Sequence, residues 1–469
     1  MSKAYLCGMN HLQNDIIIAL ATPPGVGAIG VIRLSGKGCI GLVNRFFKGK
    51  DLEQCESHTI HLGKIVDEKG GVLDEVLASI FISPKSYTKE DVVELSCHGS
   101  SYILGQVMQL FLRHGARTAT RGEFTLRAFL NGQLDLSQAE AVADLIASDS
   151  AASHELAMKQ MKGGFSHTIA TLRQELIDFA ALIELELDFG EEDVEFADRG
   201  KLRALVIDIQ KVIADLIQSF YLGNVMKNGV ATAIVGRPNA GKSTLLNALL
   251  NEERAIVSAI PGTTRDTIEE TMNINGLVFR FIDTAGIRHA QDEIEKIGIE
   301  RSMEKISRAD LVLFVVDVTT SSPADLAEDL KKYLSGTEQF FILLNKMDLS
   351  PYVDASQYHV DGVNDSHIIT TSALHKMNID YLKTRLYEAV VSDATIQDRT
   401  LVTNARHYDA LHKSHESLQR VLLGLDTRVT GDFIAMDIRQ ALHHLGEITG
   451  SISSEDLLDS IFSRFFIGK

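Results

Sequence analysis

The sequence predicts a multidomain chain with an α+β N-terminal domain, an all-α helical domain in two segments, and an inserted α/β domain with a P-loop. A length of 469 residues is too great for a single hydrophobic core. The hydrophobic periodicity changes near residues 133, 228 and 395, and the stretch "GRPNAGKST" lies between a strand-like and a helix-like run. We therefore expect domains at 1–132, at 133–227 together with 395–469, and at 228–394.

Composition and charge narrow the class of protein. Hydrophobic residues make up 45% and charged residues 23% of the chain, as in soluble globular proteins. A formal net charge of −17 argues against a protein that coats nucleic acid nonspecifically, because neutralising phosphates needs exposed Lys and Arg. The longest apolar runs, such as "LVLFVV" at 311–316, are far shorter than a membrane span.

The first residues and the cysteines indicate the compartment. The stretch "MSKAYLCGMNHLQND" lacks the basic and then apolar pattern of an export signal. The cysteines show no CxxC pairing, which favours reduced thiols; they are Cys7, Cys39, Cys55 and Cys97. We expect a cytoplasmic protein that does not associate with a membrane.

The regions on either side of residue 133 differ in periodicity. Before it, strand-like runs such as "AIGVIRLS" and "DVVELSCHG" alternate with turns rich in Gly, Pro and Ser, which predicts an α+β domain. After it, "LSQAEAVADLIASDSAASHELAMKQM" carries apolar residues at helical spacing, and the segment 395–469 returns to this pattern. Helical segments on both sides of an α/β unit indicate an insertion; two separate helical domains are the alternative.

Gly236–Thr244 has the pattern of a phosphate-binding P-loop between a strand and a helix. Its glycines let backbone N–H groups turn toward phosphate at a helix N-terminus. Lys242 supplies a positive charge for the β- and γ-phosphates, and Ser243 supplies a hydroxyl for Mg²⁺. The loop therefore predicts nucleotide binding with Mg²⁺.

A second motif follows in "LVFRFIDTAG", an apolar strand that ends in Asp283-x-x-Gly286. The carboxylate of Asp283 would orient the water shell of the metal, and the Gly286 N–H would meet the γ-phosphate. Asn275-Gly276, between alternating runs, predicts a hairpin that enters this strand.

A third motif selects the base. "FFILLNKMD" ends a strand with Asn345-Lys346-x-Asp348, whose carboxylate can accept both the N1–H and the N2–H₂ of guanine. Adenine would leave that carboxylate desolvated and unpaired, at a cost of about 1–3 kcal/mol. Ser372 and Ala373, in "TTSAL", would complete the pocket through a backbone N–H. Four motifs in order, each at the end of a strand, predict a G domain that binds GTP.

One expected group is missing from this set. Many small GTPases place a Gln directly after Asp-x-x-Gly to orient the attacking water, and this chain has Ile287 there. An isoleucine side chain can neither donate nor accept a hydrogen bond. The substitute is either a nearby acidic residue or a cation supplied another way. Asp292, Glu293 and Glu295 follow as acidic candidates, and the residues alone do not distinguish them.

The chain resembles the MnmE (TrmE) family of tRNA wobble-uridine modification GTPases, which are TrmE-Era-EngA-like GTPases, and the most specific matches lie outside the G domain. The resemblance covers nearly the whole chain after the first dozen residues. The stretches that carry it are "ATPPGVGAIGVIRLSG" (21–36), "SYTKEDVVELSCHG" (86–99), "RGEFTLRAFLNGQLDLSQAEAVADLI" (121–146), "PGTTRD" (261–266), "DTAGIR" (283–288), "IGIERS" (297–302) and "IGK" (467–469).

The resemblance implies a K⁺-stimulated GTPase whose G domains dimerise across their nucleotide faces. It assigns K⁺ to the Asn239 side chain and to backbone ligands at Ser258, Ile260 and Thr263. K⁺ between the phosphates would neutralise developing charge, where an arginine finger acts in other GTPases.

The resemblance also implies a second Mg²⁺ ligand and a set of catalytic residues. Thr264 is the second Mg²⁺ ligand beside Ser243, and Glu295 is the carboxylate that positions the attacking water. The implied catalytic residues are Glu295, Asn239 and Lys242. The residues expected to contact GTP are Asn239, Ala240, Gly241, Lys242, Ser243, Thr244, Ser258, Ala259, Ile260, Pro261, Gly262, Thr263, Thr264, Asp283, Thr284, Ala285, Gly286, Asn345, Lys346, Asp348, Ser372 and Ala373.

The N-terminal region resembles the family's tetrahydrofolate-binding domain, through which the family forms constitutive homodimers. Arg33 and Glu94 fall on folate-contacting positions: a guanidinium can pair with a glutamyl carboxylate, and a carboxylate can accept pterin N–H groups. A third folate position, usually Lys, is Gln133 here, which carries no charge. The family ending Cys-Ile-Gly-Lys reads Phe466-Ile467-Gly468-Lys469, so a thiolate is missing, whereas Lys469 could still reach folate.

The implied function is modification of the wobble uridine of certain tRNAs at carbon 5, with an aminomethyl or carboxymethylaminomethyl group. The implied partners are tRNA, a second copy of the chain and the FAD-dependent MnmG (GidA) protein, with a tetrahydrofolate derivative as one-carbon donor. A ribosome-assembly or RNA-chaperone GTPase is the alternative, but it predicts a basic RNA-binding domain. A stand-alone folate enzyme with a vestigial G domain conflicts with four intact nucleotide motifs.

Overall fold

The structure is a computed structural model of the chain. It describes residues 15–188, 198–250, 270–282, 303, 306–333, 339–360, 362–391, 400–427, 429–463, 465 and 467–468. The chain forms two compact units. The first comprises Met1–Ala143, Gln160–Arg203 and Glu416–Lys469, and the second comprises Asp144–Lys159 and Ala204–His415.

The first unit contains a seven-stranded sheet whose strands alternate apolar and polar residues. Its strands are β1 (Ile16–Leu20), β2 (Ile29–Ser35), β3 (Phe47–Lys48), β4 (Thr59–Val66), β5 (Val72–Phe81), β6 (Val92–His98) and β7 (Ala116–Thr118), in the order β3-β4-β5-β6-β2-β1-β7. Neighbours are antiparallel except β1 and β7. One face packs on the helices Cys39–Asn44 and Ser101–Arg113. Because side chains alternate along a strand, Arg33 and Glu94, opposite one another in β2 and β6, lie on the other face.

Helices from both ends of the chain share the first unit. They are Glu123–Leu130, Leu136–Ala147, Gly164–Asp188, Gly431–Thr449 and Glu455–Phe462. Gly164–Asp188 packs along Gly431–Thr449, and Leu136 and Ala139 share a buried cluster with Leu458 and Phe462. These contacts favour one helical domain built from two chain segments over two separate helical domains.

The second unit is organised around a mostly parallel six-stranded sheet in the order β13-β12-β11-β8-β10-β9. Its strands are β8 (Val230–Val235), β9 (Glu270–Ile274), β10 (Leu277–Phe281), β11 (Leu311–Asp317), β12 (Phe340–Asn345) and β13 (Ile368–Thr370). Only the β9–β10 pair is antiparallel, and its turn at Asn275 and Gly276 confirms the predicted hairpin. β11 is buried along its length, as expected for a parallel strand covered on both faces.

The helices of the second unit connect these strands and precede them. They are Phe220–Asn228, Lys242–Leu250, Pro323–Tyr333 and Ile379–Val390. The boundaries between the two units fall within the helices Leu136–Ala147, Ala151–Met161, Arg199–Gln218 and Ala405–Asp426. Short 3₁₀ turns lie at Leu52–Gln54, Ala355–Tyr358 and Asp365–His367. Because the carboxyl ends of parallel strands share one edge, the loops after β8, β12 and β13 come together.

The predicted boundaries at 132, 227 and 394 stay predictions, since the two compact units divide the chain more coarsely. Over the described ranges, no helix combines the length and the apolar character needed to cross a membrane.

Candidate functional site

The P-loop lies between β8 and the helix Lys242–Leu250, in the predicted position. Gly241 has a φ of +99°, and a Cβ there would lie 2.2 Å from Asn345 Nδ2. Only glycine therefore fits, because any other residue would meet both a strained backbone and a buried amide. Ala240 is buried under the loop, and Thr244 is half-buried at the start of the helix.

Three side chains of the P-loop are predicted to contact phosphate or a cation. Lys242 Nζ donates to Gly236 O and to Arg237 O, both at 2.8 Å, so its ammonium lies across the loop. Asn239 is exposed and has a φ of +59°, a left-handed conformation that Asn adopts more readily than most residues. Ser243 is also exposed. The exposed amide and hydroxyl suit the oxygen-rich coordination that K⁺ and Mg²⁺ require.

Asn345, at the end of β12, connects the P-loop to the loop after β13. Its side chain is only 3% exposed. Asn345 Nδ2 donates to Ala240 O at 2.9 Å, and Asn345 Oδ1 accepts from the Ala373 N–H at 3.0 Å. Asn345 is thus a brace between two predicted nucleotide-binding loops, a role that the sequence motif alone does not specify.

Asp348 is held in a fixed orientation by the loop after β13. Ser372 Oγ donates to Asp348 Oδ1 at 2.6 Å, and His375 Nε2 lies 3.6 Å from Asp348 Oδ2. The carboxylate remains partly exposed, with 21% of its side-chain surface accessible. A fixed, partly exposed carboxylate can accept two parallel N–H bonds from a planar base.

Lys346 follows Asn345 and has a left-handed backbone conformation. It pairs with Asp317, which is not part of the predicted sequence motifs. Lys346 Nζ donates to Asp317 Oδ2 at 2.6 Å. Burial acts to raise the pKa of Asp317, but the hydrogen bonds from Lys346 and Thr319 outweigh it and keep the pKa below its usual value. The signal in the sequence was the position of Asp317 at the carboxyl end of the buried strand β11.

Arg237 ties the P-loop to the helix Pro323–Tyr333. Its guanidinium donates to Asp329 Oδ2 at 2.7 Å and to Asp325 Oδ1 at 3.3 Å. No signal in the sequence indicates this contact, because the partners lie 88 and 92 residues from Arg237. The P-loop is therefore fixed from one side by Asn345 and from the other by this ion pair.

The remaining predicted nucleotide residues lie outside the described residues. They are Ser258, Ala259, Ile260, Pro261, Gly262, Thr263, Thr264, Asp283, Thr284, Ala285, Gly286 and Glu295. Their assignments stay predictions.

Arg33 and Glu94 form a second cluster, on the sheet of the first unit. Arg33 Nε donates to Glu94 Oε1 at 2.8 Å, and the pair is largely buried, with 17% and 27% of the side chains exposed. Arg33 Cζ lies 5.7 Å from the ring centroid of Tyr87 and 5.6 Å from that of Phe124. Two aromatic rings thus hold the guanidinium, and Glu94 Oε2 is left as a further acceptor.

The C-terminal segment reaches the same cluster. Arg33 Nη1 donates to Gly468 O at 3.4 Å, and Ile467 pairs with Arg121 in an isolated antiparallel bridge. Gln133 is exposed in the turn after Glu123–Leu130, and its N–H donates to Ala128 O at 2.8 Å. Phe466 and Lys469 lie outside the described residues.

A charged network fixes the helix Glu123–Leu130, which carries Phe124. The side chain of Arg127 is 2% exposed and donates to Asp15, Glu90 and Glu123. Burial acts to raise the pKa of Glu123, but hydrogen bonds from Arg117 and Thr120, with both arginine charges, outweigh it and lower the pKa. The carboxylate form is therefore the one that stabilises the fold.

Replacing Glu123→Gln is expected to lower the free energy of unfolding by about 1–3 kcal/mol at neutral pH, because the buried Arg127 and the partly exposed Arg117 lose a charged acceptor. Since the folded pKa lies below the usual value of 4.5, the contribution is full above that pH and is lost as pH falls through the folded pKa. Urea unfolding between pH 7 and about pH 3 should show the two proteins converging in acid. Glu68→Gln is the control, because Glu68 pairs with Arg113 at the surface, where the two side chains are 43% and 56% exposed. This substitution should change the free energy of unfolding little.

The geometry of the second unit defines a class of protein. A strand–P-loop–helix and an Asn-Lys-x-Asp loop meet at the carboxyl edge of a mostly parallel sheet, with a fixed carboxylate for the base. That combination is a P-loop GTPase.

The family is shown by similarity over nearly the whole chain. Residues 16–133 match the family described as "GTP-binding protein TrmE N-terminus", and residues 136–465 match the family described as "MnmE helical domain". The chain therefore belongs to the MnmE (TrmE) family of tRNA modification GTPases. This membership confirms the resemblance and the predicted fold class: an N-terminal domain of strands and helices, a helical domain and a P-loop G domain.

Individual relatives agree with this assignment. The tRNA modification GTPase MnmE of Cytophaga hutchinsonii is 54% identical over 98% of this chain and 98% of its own. The protein of the same name from Flavobacterium johnsoniae is 52% identical over 98% of this chain and 100% of its own. The solved FeoB G domain of Methanococcus jannaschii is 29% identical over 35% of this chain and 98% of that chain, with a TM-score of 0.24. So low a TM-score adds nothing to the family assignment.

Proposed function

We propose that this chain hydrolyses GTP in a K⁺-stimulated reaction, and that hydrolysis drives a cycle needed to modify the wobble uridine of certain tRNAs at carbon 5. The observation that carries the proposal is the convergence of the P-loop and the Asp348 loop at one sheet edge, in a chain of the MnmE family. Family membership favours this function over the ribosome-assembly alternative.

The residues present suit the proposed nucleotide site. The Asp348 carboxylate would accept the two guanine donors, and Lys242 would neutralise the β- and γ-phosphates. The exposed hydroxyl of Ser243 fits an Mg²⁺ ligand, and Thr264 would be the second. The exposed Asn239 amide fits a K⁺ ligand, with backbone ligands from Ser258, Ile260 and Thr263 as the rest of the set.

Water attack needs a residue other than the usual glutamine, because Ile287 has no polar atom in its side chain. We assign that role to Glu295, whose carboxylate would orient the water and accept its proton. Bound K⁺ would supply a positive charge for the transition state, the contribution that an arginine finger makes in other GTPases.

We further propose that the Arg33–Glu94 cluster binds a tetrahydrofolate derivative, the donor of one carbon. A partly buried carboxylate with a remaining acceptor oxygen, paired with a guanidinium that two aromatic rings contact, fits a pterin ring with N–H donors. Gln133 contributes no charge to this site, and Lys469 would contribute a terminal ammonium. In this proposal the chain forms a homodimer, uses a tetrahydrofolate derivative, and acts together with the FAD-dependent MnmG (GidA) partner. The substrate is tRNA.

Cys39 and Cys97 do not replace the missing C-terminal thiol. Burial, with the nearby charge of Asp74, raises the pKa of Cys97 to about 12, and burial likewise raises the pKa of Cys39 far above its usual value. Neither thiol therefore forms the thiolate that a nucleophile or redox group needs near neutral pH. If a chemical step in the family depends on that cysteine, this chain performs it differently.

Replacing Gly468→Ala is expected to weaken binding of 5-formyltetrahydrofolate about threefold to tenfold, as for the loss of one hydrogen bond. Gly468 has a φ of +99°, and a Cβ there would lie 2.5 Å from Leu20 O, so the segment must shift and its contact with Arg33 changes. Isothermal titration would measure the change. Gly105→Ala, at a helical position with open space around it, is the matched control and should bind as the wild type does; equal affinities for all three proteins would contradict the prediction.

Mass analysis of tRNA nucleosides from a deletion strain tests the proposed function. We expect the wobble uridines to lose the carbon-5 substituent, and wild-type protein but not Lys242→Ala to restore it. Unaltered wobble uridines in the deletion strain would overturn the proposal.

A further inference from the structure

Lys89 combines a strained backbone with an ammonium that is held in one place. Its φ is +57°, in the left-handed region that is strained for a residue with a side chain. Lys89 Nζ donates to Gly132 O at 2.6 Å, across 43 residues of sequence. Strained residues of this kind cluster at ligand sites, where the surrounding structure holds them in place.

The segment that carries Lys89 also lies against the Arg33–Glu94 cluster. Tyr87, two residues earlier, contacts the Arg33 guanidinium at 5.7 Å, and Thr88 Oγ1 lies 2.7 Å from the hydroxyl of Ser35, on the same strand as Arg33. Since a residue advances the chain by at most about 3.6 Å, the Cα atoms of Tyr87 and Lys89 lie within about 7 Å of one another. Lys89 is therefore close along the chain to the residue that contacts Arg33, and one elongated ligand could contact both side chains.

Three arginines around this cluster, Arg33, Arg117 and Arg127, are already paired with carboxylates. Among the described residues, the hydrogen-bond partner of the Lys89 ammonium is the neutral carbonyl of Gly132, and no carboxylate forms an ion pair with it. The adjacent Gln133 adds no charge. Lys89 therefore offers an anionic ligand a positive charge that no carboxylate among the described residues neutralises.

We propose that Lys89 is a ligand-binding residue of the folate site and receives a glutamyl carboxylate of the tetrahydrofolate derivative. Glu94 then binds the pterin end, and Arg33 orients Glu94 instead of receiving the glutamyl carboxylate. A charge-assisted hydrogen bond from the ammonium to the carboxylate replaces or joins the bond to Gly132 O. This inference rests on the proposed folate function.

The Lys89→Gly variant tests the inference, because it should move two measurements in opposite directions. Glycine adopts a positive φ without strain, so the melting temperature should stay at or rise above the wild-type value. Loss of the ammonium should raise the dissociation constant of 5-formyltetrahydrofolate about tenfold, the effect of one charged hydrogen bond. A residue that merely braced the fold would lose stability and affinity together.

Lys376→Gly is the matched control. Lys376 is also a lysine with a positive φ, +56°, and it lies in the loop after β13 of the second unit. It should leave folate affinity unchanged. Lys89→Gln, which keeps the side-chain length without the charge, should bind as weakly as Lys89→Gly.

The outcomes separate the two proposals. Saturable binding by the wild type, with a dissociation constant for Lys89→Gly within twofold of it, would overturn the role of Lys89 alone. A fall in melting temperature alongside weaker binding would also overturn it in favour of a structural role. No saturable binding by the wild type would overturn the folate function and this inference with it.

Discussion

Asp348→Asn is expected to weaken GDP binding by a factor of about 10² to 10³. The carboxylate would accept two guanine N–H groups, whereas an asparagine amide would set a donor against one of them. A lost charged hydrogen bond and a buried unsatisfied donor together cost roughly 3–5 kcal/mol. Titration with a fluorescent GDP analogue would measure the loss.

Asp365→Asn, in the same unit, is the control for that experiment. The substitution changes another carboxylate that pairs with a histidine, His359, at 2.8 Å. It should leave the dissociation constant unchanged. Xanthosine diphosphate, which presents a carbonyl in place of the guanine amino group, should bind Asp348→Asn more tightly than GDP does. If Asp348→Asn bound GDP as the wild type does, the base assignment would be wrong.

Glu295→Ala is expected to lower kcat for GTP about 10² to 10³-fold while the dissociation constant of GDP stays within about threefold of wild type. The physical reason is that a residue which only orients the attacking water acts on the transition state and leaves ground-state binding intact. Single-turnover hydrolysis and nucleotide titration would separate the two quantities.

Asp292→Ala and Glu293→Ala are the matched controls, since both remove a carboxylate from the same stretch of sequence. Both should retain turnover close to that of the wild type. A large loss of GDP affinity in Glu295→Ala, or an equal loss of turnover in all three variants, would remove Glu295 from the catalytic role.

Local sequence patterns were sufficient for much of the G-domain fold. The Asn275-Gly276 turn and the placement of the P-loop between β8 and its helix follow from turn chemistry and from hydrophobic periodicity. Asp317 was missed, although its position at the end of β11 follows the same rule as Asp348. A motif search keyed to fixed spacing does not detect a residue that supports the motif from another strand.

The contacts that fix the site could not be read from the sequence, because their partners are far apart along the chain. Asn345 meets Ala240 across 105 residues, and Arg33 meets Gly468 across 435. Such pairs depend on strand order and on how the chain ends pack, and neither leaves a local pattern. Lys89 shows the same limit: its positive φ and its bond to Gly132 exist only in the folded protein.

The central claim is that K⁺ bound by Asn239 stimulates GTP hydrolysis. GTP turnover measured in K⁺ and in Na⁺ at equal ionic strength tests this claim most directly. We expect the wild type to turn over GTP at least tenfold faster in K⁺ than in Na⁺, because the cation would replace part of the charge of an arginine finger. We also expect Asn239→Ala to hydrolyse GTP at the same low rate in both salts. Equal turnover of the wild type in K⁺ and Na⁺ would contradict the claim.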